Sequence, residues 1–145
     1  MNNISLVKVC TLKLSQRDKH EKVLYELLKE REPYMNISHK ELPTYEEHVK
    51  FVRSKPYKEW FLIHDNKYEI FIGSIYITYK DEIGLFLFKR HQRVNYGTEV
   101  LNKILDNSRY GKTFLANINP ANERSKQFFK KFGFKLVQET YRRDI

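Results

Sequence analysis

The chain is poor in the residues that staple or anchor a protein. Of its 145 residues one is cysteine, Cys10, so no disulfide can form within the chain and burial must hold it together. Glycine and proline, five and four in number, are too scarce for a linker-rich or low-complexity chain. No apolar run approaches the ~20 residues that cross a bilayer, and the N-terminus lacks the plan of a signal peptide. A cytoplasmic protein with no membrane partner is the expectation. Acidic residues are also short, 18 against 27 lysines and arginines, which leaves a formal charge of +9.

Hydrophobics at 41% and aromatics at 14% are too many for a disordered chain, even with 31% charged residues. The length suits one domain, residues 1–145, with a core large enough to stand without a metal. The basic surplus is a solvated surface for most lysines. It also suits an anionic partner, whether a phosphorylated cofactor, a nucleotide-linked substrate or nucleic acid. No helix-turn-helix, zinc finger or aromatic RNP motif is present, so nucleic acid is not expected.

Along the chain, residues 4–14 (ISLVKVCTLKL) are β-rich and predict a first strand. Ser15 to Asp18 has the spacing of a capping box, and Val23, Leu24, Leu27 and Leu28 predict a helix over 16–31. Residues 33–43 read as a loop. A second capping box, Thr44 to Glu47, opens a helix with Tyr45, Val49 and Val52 on one side, stopped before Pro56. The period then changes to two. Strands are predicted over 59–64, 70–80 and 83–88, as an antiparallel meander with turns at Asp65-Asn66 and Asp81-Glu82. A helix follows Gly97 and ends at Gly111. A strand over 113–119, a helix from Asn122 to Lys131 closed by Gly133, and a last strand over 134–141 complete the chain. The order β-α-α-β-β-β-α-β-α-β predicts an α/β fold: a mixed, mainly antiparallel sheet flanked by helices.

Two segments carry chemistry. In IGLFLFKRHQRVNYGTEVL, Ile83 to Leu101, an apolar strand runs into a basic loop, then into a glycine and an amphipathic helix. Free N–H groups in the first turn of a helix, with its dipole, form an anion site. Gly97 leaves backbone able to approach a phosphate, and Arg90 and Arg93 add positive charge. There is no Walker A loop and no Rossmann fingerprint. The second segment, LANINPANERSKQFFKKFGFKLV, runs from Leu115 to Val137. It reads as strand, Asn119-Pro120-Ala121-Asn122, short helix, Gly133-Phe134 and strand.

Together the segments resemble the GNAT acetyltransferases over about residues 82–136. That family's coenzyme motif is Q/R-x-x-G-x-G/A, and Gln92-Arg93-Val94-Asn95-Tyr96-Gly97 occupies it. Its second motif is matched in order by Asn119-Pro120-Ala121-Asn122, Ser125, Phe129 and Gly133-Phe134. The resemblance implies acetyl-CoA as acyl donor, with no metal. Leu85, Phe86 and Leu87 would pair with the pantetheine arm, a backbone N–H near Leu87 facing the thioester oxygen as an oxyanion donor. The amides from Arg93 to Thr98, including Val94, Asn95, Tyr96 and Gly97, would take the pyrophosphate. Asn122 would cap its helix and hydrogen-bond the pantetheine neighbourhood.

Two positions depart from the family pattern. Asn95 replaces the first motif glycine, and asparagine tolerates left-handed backbone better than other side chains. Phe129 stands where many members have a tyrosine that protonates the departing thiolate. A thiol pKa of about 8.5 makes the thiolate a tolerable leaving group without it. Asn117 stands where ribosomal-protein alanine acetyltransferases carry a glutamate, which argues against their mechanism.

The implied acceptor is a primary amine. An amine of pKa about 10.4 is protonated at pH 7, so a base is useful. Glu82, directly before the strand that would present the thioester, is the candidate, with His48 and His64 behind it. Tyr34, His39, Tyr76 and Tyr79 are candidate lining groups of the acceptor pocket. Alternation puts Ile75, Ile77 and Tyr79 on one face of the strand and Tyr76 and Thr78 on the other. The implied activity is N-acetylation of a small molecule, with a nucleotide-linked amino sugar as one acceptor class, by a monomer or homodimer. The alternatives are a protein or peptide N-acetyltransferase and a catalytically silent CoA-binding domain.

Overall fold

The computed structural model describes residues 3–9, 12–31, 41–92 and 95–145. Four strands form one antiparallel sheet in chain order: β1 (Ile4–Lys8), β2 (Glu59–Asp65), β3 (Ile70–Ile77) and β4 (Ile83–Leu87). Helices α1 (Leu14–Lys29) and α2 (Tyr45–Arg53) pack on one face. Helices α3 (Tyr96–Leu105) and α4 (Glu123–Lys131) pack on the other. The expected α/β class holds. No helix among the described residues is long and apolar enough to cross a membrane.

The two-sided cover follows from β2. Phe61, Leu62 and Ile63 are consecutive and all buried, and successive side chains of a strand face opposite ways. Leu62 packs with Leu24 of α1 and Val52 of α2. Phe61 and Ile63 join Val100, Leu101 and Ile104 of α3, which are fully buried. Burying each such side chain is worth about 1.5–3 kcal/mol. The β3–β4 register pairs Tyr76 with Gly84 and Ser74 with Phe86. Those four residues therefore share the α1/α2 face. Ile75, Ile77, Ile83, Leu85 and Leu87 take the other.

Helix α2 starts on the expected box: the Glu47 N–H donates to Thr44 Oγ1 at 3.2 Å, and the Thr44 N–H donates to Glu47 Oε1 at 3.1 Å. Its buried residues are His48 and Val52, while Tyr45 is exposed. Helix α1 corrects the sequence reading. It begins at Leu14, with Lys13 as an N-cap that makes no side-chain cap bond. Ser15 is already helical, and a cap must lie outside helical backbone to reach the free amides. The two helices are tied by a fork: Arg53 Nε and Nη2 donate to the buried Glu21 carboxylate at 2.8 and 3.1 Å.

Two expected strands are not formed. Residues 113–119 meet the sheet at a single parallel bridge, Glu82 with Leu115. There the Ile83 N–H donates to the Leu115 carbonyl at 2.7 Å, and the Leu115 N–H donates to Asp81 at 2.8 Å. Phe114, Ala116 and Ile118 are half-buried against the core, so the period-two pattern was real. The segment departs from β4 after the bridge, and without a continuous neighbour there is no ladder. Residues 134–141 form no strand either. Leu136, Val137 and Tyr141 are 78–87% exposed, since β-propensity alone supplies no pairing edge. Strand β3 ends at Ile77, three residues early. Helix α3 ends at Leu105, and Gly111 (φ 132°) instead closes a 3-10 turn at Ser108–Tyr110. Gly133 (φ 84°) follows α4 as expected.

Candidate active site

An antiparallel pair directs the N–H and C=O of alternate residues at its partner. On β4 the even-numbered residues face β3: the Thr78 N–H donates to Glu82 and the Phe88 N–H to Ile72, each at 2.9 Å. The odd-numbered residues turn outward. Ile83 spends that direction on Leu115. Past the bridge, no strand among the described residues covers this side, so the Leu85 and Leu87 N–H groups face an open edge. The Leu87 carbonyl on the same edge accepts from Gln92 Nε2 at 3.0 Å.

That bond starts a chain of contacts which holds the loop after β4. Arg124, in the first turn of α4, donates from Nη1 to Gln92 Oε1 at 3.0 Å and from Nη2 to the Gln92 carbonyl at 2.6 Å. The loop is thus gripped between the β4 edge and the start of α4. Arg93 and Val94 lie outside the described residues. Asn95 is the N-cap of α3 with φ −75°, so this position needs no left-handed backbone, contrary to expectation. The amides of Tyr96, Gly97 and Thr98 fall in the first turn of α3, where N–H groups have no partner within the helix.

The side chains of that turn have structural work. The Tyr96 hydroxyl donates to Asp65 Oδ2 at 2.6 Å, pinning the start of α3 to the end of β2. Its own pKa is pushed up to about 12, by the Asp65 carboxylate first and burial second. A β-carbon on Gly97 would meet the Phe128 ring at 3.4 Å and Leu85 at 3.8 Å. Gly97 therefore sits where α3 packs against α4 and β4, with ordinary contact distances for a methyl group. Asn122 caps α4, its Oδ1 accepting from the Ser125 N–H at 3.1 Å, which leaves its amide NH₂ for other partners. Phe129 is buried in the core, edge-on to Phe128 and Phe134. These residues fit a coenzyme that carries a hydrogen-bonding arm and a pyrophosphate: an edge strand with outward amides leads to a helix N-terminus and a basic turn.

Glu82 stands at the bridge. The Thr78 hydroxyl donates to its Oε1 at 3.0 Å, and Asn117 Nδ2 donates to its Oε2. Both oxygens are thereby oriented on the face that Tyr76 occupies. On this face α1, α2 and the sheet enclose a cavity of about 500 Å³. Tyr76 lines it. Tyr79 does not, being 70% exposed, and Tyr34 and His39 lie outside the described residues. His48 also lines the cavity and is buried, its Nε2–H donating to the Glu21 carbonyl at 3.1 Å. Burial pulls its pKa down, so the ring is neutral. His64 is elsewhere, bonded to Asn66 beyond β2.

The sequence did not point to most of the cavity wall. Tyr57 stacks on Tyr76 with centroids 3.9 Å apart and planes at 5°, and Trp60 meets Tyr57 edge-on at 4.7 Å. Burial pushes both tyrosine hydroxyls up, so they stay protonated. Arg31 completes this wall, seated 3.6 Å over the Phe86 ring. Arg124 was missed as well. Its signal was a cation in the first turn of a helix, where the dipole disfavours one.

The family model of the acetyltransferase (GNAT) domain matches residues 11–135. No curated protein matches the chain in sequence. Solved structures do match. An acetyltransferase from Thermus thermophilus aligns at TM-score 0.73 and 20% identity, covering 96% of this chain and 92% of its own. The spermidine N-acetyltransferase of Vibrio cholerae aligns at 0.65 and 16%, covering 94% and 81%. YncA from Salmonella typhimurium, solved with its cofactor acetyl-CoA, aligns at 0.68 and 12%, covering 94% and 82%. At these identities the structures show a shared fold.

Proposed function

The chain belongs to the GNAT acetyltransferase family, and from that premise we propose that it N-acetylates the primary amine of a small molecule with acetyl-CoA as donor. The observation that carries this reading is the open edge of β4, whose Leu85 and Leu87 amides face outward beside the first turn of α3. Acetyl-CoA, when bound, supplies an acetyl group activated as a thioester. The first-turn amides of α3 would bind its pyrophosphate, helped by the basic turn at Lys89–His91. An outward amide of Leu85 or Leu87 would serve as the oxyanion donor. Gln92 and Arg124 would hold the loop in register with that edge.

The acceptor amine would enter from the α1/α2 face, through the aromatic cavity, and meet Glu82 just before the start of β4. Glu82 would take the ammonium proton, directly or through water, while Thr78 and Asn117 keep its carboxylate oriented. Phe129 offers no proton, so the sulfur would be protonated by water.

The test is release of CoA thiol from acetyl-CoA across a panel of small amines, with Glu82→Gln alongside. At least one amine should turn over. Glu82→Gln should keep acetyl-CoA affinity in calorimetry and lose about a hundredfold in kcat. A loss under about threefold, less than ~1 kcal/mol, would remove Glu82 from the role. Acetyl-CoA binding with no thiol release on any amine would favour a silent CoA-binding domain.

A further inference from the structure

We infer that the acceptor carries a carboxylate beside its amine, and that Arg31 and Trp60 recognise it. This deepens the acetyltransferase reading and rests on taking the aromatic cavity as the acceptor pocket.

Two donor atoms on residues lining that cavity, Arg31 Nε and Trp60 Nε1, are inaccessible to solvent and have no hydrogen-bond partner among the described residues. Arg31 also has no ion-pair partner among the described residues. Buried polar groups are satisfied in the great majority of cases, so two orphans in one cavity call for a ligand. Both orphans donate, and neither can accept. Their complement is an acceptor-rich, negatively charged group.

The arrangement narrows the choice further. A guanidinium seated over the Phe86 ring spends its face on the ring, while its N–H donors lie in its own plane. Nε with one Nη presents the parallel pair that a carboxylate takes in bidentate fashion. Phe86 belongs to β4, flanked by the two residues whose amides face the proposed thioester site. A group held at Arg31 is therefore close to the reacting end of the cavity, as the carboxylate of an amino acid is to its own amine. Among the described residues lining the cavity Arg31 is the one Lys or Arg, His48 is neutral, and Glu41 and Glu47 are acidic, so the lining offers a cation for one negative charge and no more. A diphosphate would be under-neutralised there. A polyamine would leave the buried Arg31 and Trp60 donors unpaired. Leu24, Leu27 and Phe51 make the rest of the wall apolar, which suits an apolar side chain.

Trp60 is the chain's single tryptophan, so its fluorescence reports occupancy of this cavity without any turnover. Apolar amino acids, each beside its amide and its decarboxylated amine, are titrated against the full chain, with spermidine and inorganic phosphate as further probes. The same compounds are offered as acceptors in the thiol-release assay. At least one free amino acid should change Trp60 emission saturably, with its amide and amine binding at least tenfold more weakly. Arg31→Met should erase that gap with its unfolding midpoint measured in parallel, and Arg31→Lys should restore part of it. Equal or tighter binding of the amides, amines or spermidine would overturn the assignment. So would tighter binding of phosphate, the absence of any response to free amino acids, or a gap that survives in Arg31→Met. The two readings fail separately. Carboxylate-dependent binding without thiol release defeats the acetyl-transfer reading alone, and thiol release with no carboxylate preference defeats this one alone.

Discussion

Gly84→Ala tests the layout of the site from its tightest point. Gly84 is buried, and a β-carbon there would overlap Cζ, Cε2 and Oη of Tyr76. Tyr76 has nowhere to retreat, because its other neighbour is the Tyr57 ring, stacked at 3.9 Å. Overpacking of this kind costs about 1–3 kcal/mol. For a domain of this size each kcal/mol moves Tm by about 3 °C, so a fall of about 3–10 °C is expected in thermal unfolding. The functional effect should be one-sided. Tyr76 lines the acceptor cavity, whereas the coenzyme edge is formed by the outward backbone of Leu85 and Leu87. Calorimetry should find acetyl-CoA affinity little changed. The KM for the best acceptor should rise about tenfold, roughly 1.4 kcal/mol. Tyr76→Leu in the Gly84→Ala background should return part of the lost Tm, since it removes the overlapping ring atoms, and a double-mutant cycle would measure that coupling. An unchanged Tm for Gly84→Ala, or a double mutant that falls by the sum of the two single losses, would refute the contact on which this reasoning stands.

Two further outcomes follow from the loop that α3 closes. Tyr96→Phe removes a hydrogen bond to a charged, buried carboxylate and should cost about 1.5–3 kcal/mol in denaturant unfolding. It should also blunt the acid dependence of stability. The Tyr96 hydroxyl, followed by the Tyr68 and Lys67 amides, holds the Asp65 carboxyl below its ordinary value. Its contribution is complete above the unfolded pKa of about 3.9 and disappears as pH falls through the lower native value. The parent should lose stability below about pH 4, and Tyr96→Phe should lose less over that range; parallel pH profiles would exclude the bond as the cause. Arg124→Met frees Gln92 and should weaken acetyl-CoA binding by about tenfold, ~1.4 kcal/mol, at nearly constant Tm. Unchanged affinity would show that the Arg124 grip is not needed to hold the loop.

The amino-acid order by itself determined whatever depends on neighbours a few residues apart. Thr44 and Glu47 start α2 because a capping box closes within one turn. Val100, Leu101, Ile104 and Leu105 make α3 because their spacing puts them on one side of a helix. Short β-rich runs with turn residues between them made the meander legible, and alternation in β3 set Tyr76 on the face opposite Ile75 and Ile77. The coenzyme segment could be recognised for the same reason: its amides and glycine are contiguous in the chain. Tertiary structure decided everything that depends on what lies beside an element. Residues 113–119 have the pattern of a strand, yet they leave β4 after one bridge, and that departure exposes the Leu85 and Leu87 amides. Residues 134–141 have strand composition and pair with no strand among the described residues. The sequence offers no sign that Arg31 sits over Phe86, that Tyr57 stacks on Tyr76, or that Asn117 meets Glu82. These partners are 19 to 55 residues apart, and only the packing of α1 and α2 on the sheet, and the bridge at Leu115, bring them together. Side-chain periodicity reports which face of an element is apolar, but the group across from that face is chosen by the whole fold.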